Sequence, residues 1–245
     1  MKLAIFGATS AIAQEVAKNF AADHADMVLV GRDETALKTI VADLKVRGAE
    51  HVEYLVADLA ALDTLPALVQ KAIDTLSTLD VALIAHGTLP VQAEVQSNIP
   101  AIIAEMNTNA LSYMSLMSTL ADYMEGRRRG CIAVISSVAG DRGRSSNYVY
   151  GAAKAAVSTF TSGLRGRLGR AGVSVVTIKP GFVDTPMTAG VAKKGPLFAK
   201  PDVVGKRIYV AMLKGEDVVY VPWFWSPIMG IIHVVPERIF KKLKF

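Results

Sequence analysis

The sequence predicts an α/β protein built on a doubly wound parallel sheet of about seven strands, with helices on both faces. Two observations lead to this fold class. Short apolar runs alternate along the chain with longer segments of helical periodicity, as parallel strands and their crossover helices do. In addition, a glycine, a proline or a polar residue follows most of these runs, and such residues meet at the carboxyl edge of a parallel sheet.

The strands and helices can be placed in order along the chain. Strands are predicted at residues 3–6, 27–30, 52–56, 81–85, 131–135 and 173–178, and a seventh begins at Val218. Helices are predicted at about 11–20, 34–46, 62–76 and 99–124, and an alanine-rich helix opens near Tyr150. Asp33 stands directly before the second helix, where its side chain can accept hydrogen bonds from free backbone N–H groups.

Composition limits the class of protein. The chain has 245 residues, 51% of them hydrophobic, without internal repeats or low-complexity linkers. We expect one domain over residues 1–225, with an apolar and basic tail of the same domain over 226–245. Cys131 is the only cysteine, which excludes an internal disulfide and a thiolate metal cluster and favours a reduced, cytoplasmic setting. The first residues predict a strand rather than a signal peptide, and the net charge of +5 is too small to indicate nucleic-acid binding.

Tyr150 and Lys154 are the first candidates for catalysis. Residues four apart on a helix lie on one face, so the two side chains point into the same space. A tyrosine has a pKa of about 10, and a nearby ammonium group favours the phenolate and lowers that pKa. The pair therefore predicts a tyrosine tuned toward neutral pH that can give or take the proton of an alcohol. A plain surface helix is the alternative interpretation of the spacing.

The turn after the first strand predicts a nucleotide phosphate site. Strand, small-residue turn and helix form the first half of a βαβ unit, and the helix N-terminus offers free N–H groups to a pyrophosphate. The usual dinucleotide motif has three glycines, whereas this chain has Gly7 at the first place and Ala11 and Ala13 at the other two. An ordinary strand-to-helix turn is the alternative.

The end of the second strand bears on the choice between NADP(H) and NAD(H). In dinucleotide folds an acidic residue there holds the ribose of NAD, whereas an arginine accommodates the 2′-phosphate of NADP. Gly31 takes the acidic position and Arg32 follows it. The sequence therefore favours NADP(H), and NAD(H) is the alternative if Asp33 binds the ribose instead of capping the helix.

An ordered set of short motifs runs through nearly the whole chain. It consists of Gly7-x-x-x-Ala11-x-Ala13, Asp58, Ala85-His86-Gly87, Asn109, Ser137, Tyr150-x-x-x-Lys154 and Pro180-Gly181-x-x-x-Thr185. With this set the chain resembles the classical short-chain dehydrogenase/reductase family, whose fold is of the Rossmann type. It departs from the family pattern in two places, because two glycines of the first motif are alanines and Ala85-His86 replaces the usual Asn-Ala pair.

The resemblance implies a role for each motif residue. Tyr150 would be the general acid in reduction and the base in oxidation, and Lys154 would lower its pKa and hold the nicotinamide ribose. Ser137 would bind the substrate carbonyl oxygen, and Asn109 would support a water chain to Lys154. The residues implied to bind the cofactor are Gly7, Thr9, Ser10, Ile12, Arg32, Asp58, Leu59, Ala85, Gly87, Tyr150, Lys154, Pro180, Gly181, Val183 and Thr185. A homo-oligomer, dimer or tetramer, is implied as well, and a non-catalytic dinucleotide-binding regulator is the alternative function.

The stretch 136–151 and the last third of the chain resemble, more narrowly, the keto-reductases that act with decaprenylphosphoryl-ribose 2-epimerase. Those enzymes reduce a 2-keto-pentose carried on a polyprenyl phosphate. The resemblance therefore implies a lipid-linked or phosphorylated, sugar-like carbonyl substrate, and a soluble ketone or acyl substrate is the alternative.

Four basic residues fit a phosphate on such a substrate. Arg142 and Arg144 lie in the stretch before the tyrosine, where they could meet a phosphate. Lys193 and Lys194 lie in a Gly/Ala-rich segment, 188–200, which predicts a mobile lid. The alternative is that all four are ordinary surface charges.

The end of the sequence predicts contact with a membrane surface. Residues 218–235 contain no Asp, Glu, Lys or Arg, include an aromatic cluster at 223–225, and are followed by Lys241, Lys242 and Lys244. The length reaches that of a membrane span, but Pro222 and Pro227 argue against one. Apolar and aromatic residues followed by lysines are typical of a helix lying in the membrane interface. We therefore expect peripheral contact with the inner face of the cytoplasmic membrane, with burial in a subunit interface as the alternative.

Overall fold

A seven-stranded parallel sheet forms the centre of the protein. The computed structural model describes residues 1–189 and 195–243. The strands are β1 (Lys2–Phe6), β2 (Asp26–Gly31), β3 (Val52–Val56), β4 (Val81–Ile84), β5 (Gly130–Ile135), β6 (Val173–Pro180) and β7 (Val218–Val221). Their order across the sheet is β3-β2-β1-β4-β5-β6-β7, and every neighbouring pair is parallel. The predicted doubly wound sheet is confirmed.

Helices connect the strands and cover both faces of the sheet. The helices are α1 (Ala11–Ala22), α2 (Glu34–Val46), α3 (Leu65–Leu76), α4 (Gln92–Val95), α5 (Ile99–Met106), α6 (Ser112–Arg127), α7 (Tyr148–Leu168), α8 (Pro201–Lys214), α9 (Trp225–Val234) and α10 (Glu237–Phe240). The Asp33 carboxylate accepts a hydrogen bond from the backbone N–H of Ala36 at 2.9 Å, so the predicted cap of α2 is present. α8 lies where the sequence pattern indicated no helix, and Pro201 in its first turn fits a helix start.

Two apolar layers hold the helices to the sheet. On one face Phe20 of α1 and Ile208 of α8 are buried against strand side chains such as Ile5. On the other face Leu116 of α6 is buried against side chains such as Phe6. Alternate residues of a strand point to opposite faces, so a strand buried on both sides must be apolar at nearly every position.

The predicted long helix 99–124 is interrupted by a π-helical turn. α5 and α6 are joined by such a turn over Asn107–Leu111, which contains the fully buried Asn109. π turns in longer helices commonly occur at functional sites. The interruption places a polar side chain inside the protein, beside the end of β4.

The tail packs against the body of the domain. Trp225 and Met229 of α9 are buried against Val138 and Phe182, whereas the neighbouring Trp223 is 76% exposed. The aromatic cluster 223–225 is therefore divided, and Trp225 is not free to enter a membrane interface. Within residues 1–189 and 195–243, no helix has both the length and the apolar character of a membrane span.

Candidate active site

A cleft of about 440 Å³ opens along the carboxyl edge of the sheet. All residues that the sequence predicted for the reaction or the cofactor line it. They are Gly7, Thr9, Ser10, Ile12, Arg32, Asp58, Leu59, Ala85, Gly87, Asn109, Ser137, Tyr150, Lys154, Pro180, Gly181, Val183 and Thr185. The structure thus brings these residues to one place, and their individual roles stay predictions.

The first turn of α1 fits the pyrophosphate of a dinucleotide. The Ser10 side chain makes no capping hydrogen bond to this helix, which leaves N–H groups of the first turn free, and Ser10, Ala11 and Ile12 line the cleft. Gly7 has a positive φ of 90°, and a Cβ added there would lie 2.4 Å from the backbone nitrogen of His86. The one glycine kept from the usual motif is therefore required by this close approach, whereas the alanines at positions 11 and 13 sit in a regular helix.

The end of β2 provides an unpaired cation at the cleft. Arg32 is exposed and lines the cleft, and it has no ion-pair partner in the described part of the chain. Asp33, the alternative ribose ligand, is occupied by the cap of α2. Asp58 also lines the cleft, and its carboxylate accepts a hydrogen bond from the N–H of Ala60 at 3.0 Å.

The predicted catalytic groups lie next to one another. The Ser137 hydroxyl lies close enough to Tyr150 to favour the ionised form of the phenol. The Lys154 ammonium lies 5.8 Å from the centroid of the Tyr150 ring and donates a hydrogen bond to the carbonyl oxygen of Ile135 at 3.1 Å. Ser137 is fixed at the start of a short 3₁₀ turn, where its Oγ accepts a hydrogen bond from the N–H of Ala139.

The predicted effect of Lys154 on the pKa of Tyr150 is wrong for this structure. Burial raises the pKa of Tyr150 to about 12, and the nearby Ser137 hydroxyl offsets only part of that rise. Burial also lowers the pKa of Lys154 to about 7, because the ammonium is taken out of water. Desolvation therefore has the largest effect on both pKa values, and Tyr150 carries its proton at neutral pH.

The Asn109 carboxamide belongs to a polar cluster that also contains Thr88 and Glu105. Its Nδ2 donates to the Glu105 carboxylate at 2.8 Å and to the Thr88 hydroxyl at 3.0 Å, and its Oδ1 accepts from the Thr88 N–H. Sequence reasoning missed Thr88 and Glu105. The signal for Glu105 was its place four residues before Asn109, one helical turn away.

Comparison with known proteins identifies the family. The family model for short chain dehydrogenases matches residues 2–195. A protein of Mycobacterium tuberculosis described as an uncharacterized oxidoreductase is 35% identical over 242 residues, which cover 98% of this chain and 95% of that protein. The chain is a short-chain dehydrogenase. It is therefore an oxidoreductase, and the non-catalytic alternative is not supported.

Solved structures of other short-chain dehydrogenases share the whole fold. A short-chain dehydrogenase from Sphingobium yanoikuyae in complex with NADPH has a TM-score of 0.83 and 25% identity, and the match covers 96% of both chains. Another structure, of a short chain dehydrogenase/reductase family protein, has a TM-score of 0.79 and 27% identity over 90% of this chain and 94% of that one. Enzymes of this family use NAD or NADP, and the cleft of this short-chain dehydrogenase has the parts to hold such a cofactor.

Arg142 does not face the cleft as predicted. Its guanidinium donates to the carbonyl oxygens of Ile232 and Val235 at the end of α9, pairs with the Glu237 carboxylate at 2.9 Å, and lies 3.7 Å from the centroid of the Phe240 ring. These contacts satisfy carbonyl groups that the end of a helix leaves unpaired. Arg142 therefore fastens the tail to the loop between Ser137 and Tyr150.

Arg144 does face the cleft. It is partly buried, and burial lowers its pKa. Its Nη2 donates to the carbonyl oxygen of Val138 at 3.2 Å, and its buried Nε has no hydrogen-bond partner among the described residues. Asn147, which also lines the cleft, has a buried Oδ1 without a partner in the same part of the chain. Two polar groups on this wall thus keep unused hydrogen-bonding capacity.

The segment 188–200 is tied to the body near its end. Val183 and Ala199 form a parallel bridge, and the Ala199 N–H donates to the carbonyl oxygen of Phe182 at 2.9 Å. Residues 190–194, which include Lys193 and Lys194, lie outside the described residues. The predicted lid and its lysines therefore stay predictions.

Proposed function

We propose that this short-chain dehydrogenase is an NADPH-dependent reductase, and that it converts a carbonyl group on a phosphate-bearing, sugar-like or lipid-linked substrate into a secondary alcohol. The observation that carries the substrate class is Arg144. It places a partly desolvated guanidinium on the cleft wall, without an ion-pair partner among the described residues.

A phosphate group would satisfy this guanidinium. A charge that is removed from water without a partner is costly, and a guanidinium matches phosphate oxygens in a charge-assisted, often bidentate arrangement. The nearby Asp141 is not available for this role, because its carboxylate already pairs with Lys179 at 2.5 Å and accepts from the Tyr220 hydroxyl at 2.8 Å. Arg144 is thus left for an anion that enters with the substrate.

The side chains of the cleft perform the proton chemistry. The nicotinamide, when bound, supplies the hydride. Ser137 and Tyr150 both donate hydrogen bonds to the carbonyl oxygen, which polarises the C=O bond and stabilises negative charge developing on that oxygen. Tyr150 then transfers its proton to this oxygen, and Lys154 holds the cofactor ribose beside it.

The protonation state of Tyr150 matches the proton-donor role that carbonyl reduction needs. Near neutral pH a phenol with a pKa of about 12 is an available proton donor, whereas its phenolate is almost absent. Oxidation of an alcohol would need the phenolate as a base. Tyr150 therefore starts in the protonation state that reduction of a carbonyl requires.

The cofactor and the location follow from two surface features. Arg32 supports NADPH over NADH, because its cation lies near the position expected for the 2′-phosphate of the adenosine ribose.

The tail supports peripheral contact with the inner face of the cytoplasmic membrane. Trp223, Ile231, Val234 and Ile239 expose apolar side chains, and exposed lysines follow them. An enzyme acting on a lipid-linked substrate must meet it at the bilayer.

The test compares a phosphorylated with an unphosphorylated substrate. NADPH oxidation is followed with a 2-keto-pentose phosphate carrying a short prenyl chain, and with the free keto-pentose. Arg144→Gln should lower kcat/KM at least tenfold for the phosphorylated compound, because it removes a charge-assisted contact worth about 1.5–3 kcal/mol. It should change kcat/KM for the free sugar less than twofold.

The matched control is Arg170→Gln, which removes an exposed arginine that does not line the cleft. It should leave both values unchanged. Equal losses on the two substrates in Arg144→Gln would contradict the phosphate assignment. A wild-type enzyme that prefers uncharged ketones or acyl compounds would instead establish the soluble-substrate alternative.

A further inference from the structure

Three side chains form a stack beneath the catalytic tyrosine. The Lys154 ammonium lies 4.2 Å from the centroid of the Tyr113 ring, and the Tyr113 ring stacks on the His86 ring with centroids 4.4 Å apart and planes inclined by 30°. Lys154, Tyr113 and His86 are called the buried stack below. It connects α7, α6 and the loop after β4. Two of its members, Tyr113 and His86, have no role in the proposed reaction.

Hydrogen bonds fix the orientation of the two rings. The Tyr113 hydroxyl donates to the backbone carbonyl oxygen of His86. The Ser112 hydroxyl donates to the carbonyl oxygen of Thr108, so it accepts a hydrogen bond from His86 Nε2 at 2.7 Å. His86 is therefore the Nε2–H tautomer, and burial keeps it neutral by lowering its pKa to about 3. The Tyr113 ring cannot turn without breaking these contacts.

The Tyr113 ring presents its negative face to a buried ammonium. Lys154 is 3% exposed, and no carboxylate of the described residues pairs with it. An aromatic face within about 6 Å attracts a cation, and the attraction grows when both groups are removed from water. The Ile135 carbonyl oxygen accepts a hydrogen bond from the ammonium, and of the two aromatic rings near it Tyr113 is the closer, since the Tyr150 ring lies at 5.8 Å.

We propose that Tyr113 is a positioning residue for Lys154. Its ring holds the ammonium in place below Tyr150 and stabilises the charged form that grips the cofactor ribose. The inference rests on the proposed reductase function for its purpose, but the contact itself does not depend on a substrate. Four residues after Asn109 on the chain, Tyr113 is brought under Lys154 by the helix that also carries the π turn.

The other groups facing Lys154 act differently. Tyr150 lies on its own helix and stays neutral at the pH values of interest. His86 is neutral as well, and its ring stacks on that of Tyr113. Asn109 is uncharged, and the charge of Arg32 acts on His86 rather than on Lys154. Removal of the Tyr113 ring should therefore lower the pKa of Lys154, because the charged form loses its stabilising partner.

The experiment measures the pKa of Lys154 by NMR on protein labelled with ¹⁵N-lysine, with the signal assigned by Lys154→Arg. In the wild type the pKa should lie near 7. Tyr113→Leu should lower it by about one unit or more, whereas Tyr113→Phe keeps the ring and should stay within about 0.3 units. Tyr123→Leu is the matched control, since it removes a ring beside Arg127 on the same helix, outside the cleft.

Two further measurements separate a variant that does not fold from a wrong inference, and a wrong inference from a wrong reductase function. If Tyr113→Leu does not fold, fluorinated phenylalanines at position 113 retain the ring shape and weaken its negative face, and the pKa should fall with each added fluorine. An unchanged pKa of Lys154 in the fluorinated variants, or equal pKa shifts in Tyr113→Phe and Tyr113→Leu, would overturn the inference. A wild type that fails to bind NADPH in a fluorescence titration would refute the reductase function alone, because the NMR titration contains no cofactor.

Discussion

Arg32 should decide which nicotinamide cofactor is bound. The side chain lines the cleft at the end of β2, and the described residues offer it no competing anion. A charge-assisted hydrogen bond to the 2′-phosphate contributes about 1.5–3 kcal/mol, and each 1.4 kcal/mol is a factor of ten in affinity. We expect NADPH to bind roughly 10- to 100-fold more tightly than NADH, with a value toward the lower end because Arg32 is exposed to solvent.

This expectation is tested by calorimetry, which measures the affinities of NADPH and NADH for the wild type, Arg32→Ala and Asp33→Ser. Arg32→Ala should reduce the preference to less than about threefold, by weakening NADPH while leaving NADH unchanged. Asp33→Ser is the informative control, because serine can still cap α2 but carries no charge. It should leave the preference intact. Equal affinities in the wild type, or a loss of NADH binding in Asp33→Ser, would show that Asp33 holds the ribose and that the assignment of Arg32 is wrong.

Two further predictions concern the proton donor and the tail. Tyr150→Phe should abolish turnover in a stopped-flow assay while NADPH still binds, since only the transferable proton is lost; near-wild-type rates would contradict the proton-donor role. The protein should co-sediment with vesicles containing anionic lipid at low salt, and the double change Lys241→Glu, Lys242→Glu should reduce binding at least tenfold, because each lysine near such a surface contributes about 1 kcal/mol. Absence of binding to these vesicles would favour burial of the tail in a subunit interface.

The sheet and the cleft could be predicted because their signals are local. Strands such as β4 are continuous apolar runs, and Gly7 marks a turn that no larger residue can make beside His86. In a parallel sheet the residues following the strands meet at one edge, so their order in the sequence already places them in one cleft. The helix cap at Asp33 could be predicted for the same reason, because Asp33 stands directly before α2 in the sequence.

What the sequence could not indicate depends on contacts between distant segments. Arg142 and Glu237 are 95 positions apart, and nothing near either residue points to the other. The pKa of Tyr150 depends on how deeply α7 is buried, which a spacing of four residues does not reveal. Tyr113 could be identified only once the rings of Tyr113 and His86 were seen to stack under Lys154. Burial and long-range pairing, rather than residue type, set these properties.

The fastening of the tail by Arg142 has a consequence for biosynthesis. Trp225 packs so closely on Gly181 that a Cβ there would lie 1.9 Å from the indole nitrogen, and Gly181 lines the cleft. When the ribosome makes residues 225–240, β7 is still inside its exit tunnel. We therefore expect β7 and the tail to fold onto the domain together, once the finished chain is released. Only then would Arg142 meet the carbonyl groups of α9 and Gly181 meet the indole behind it, so this part of the cleft wall would be among the last to be supported.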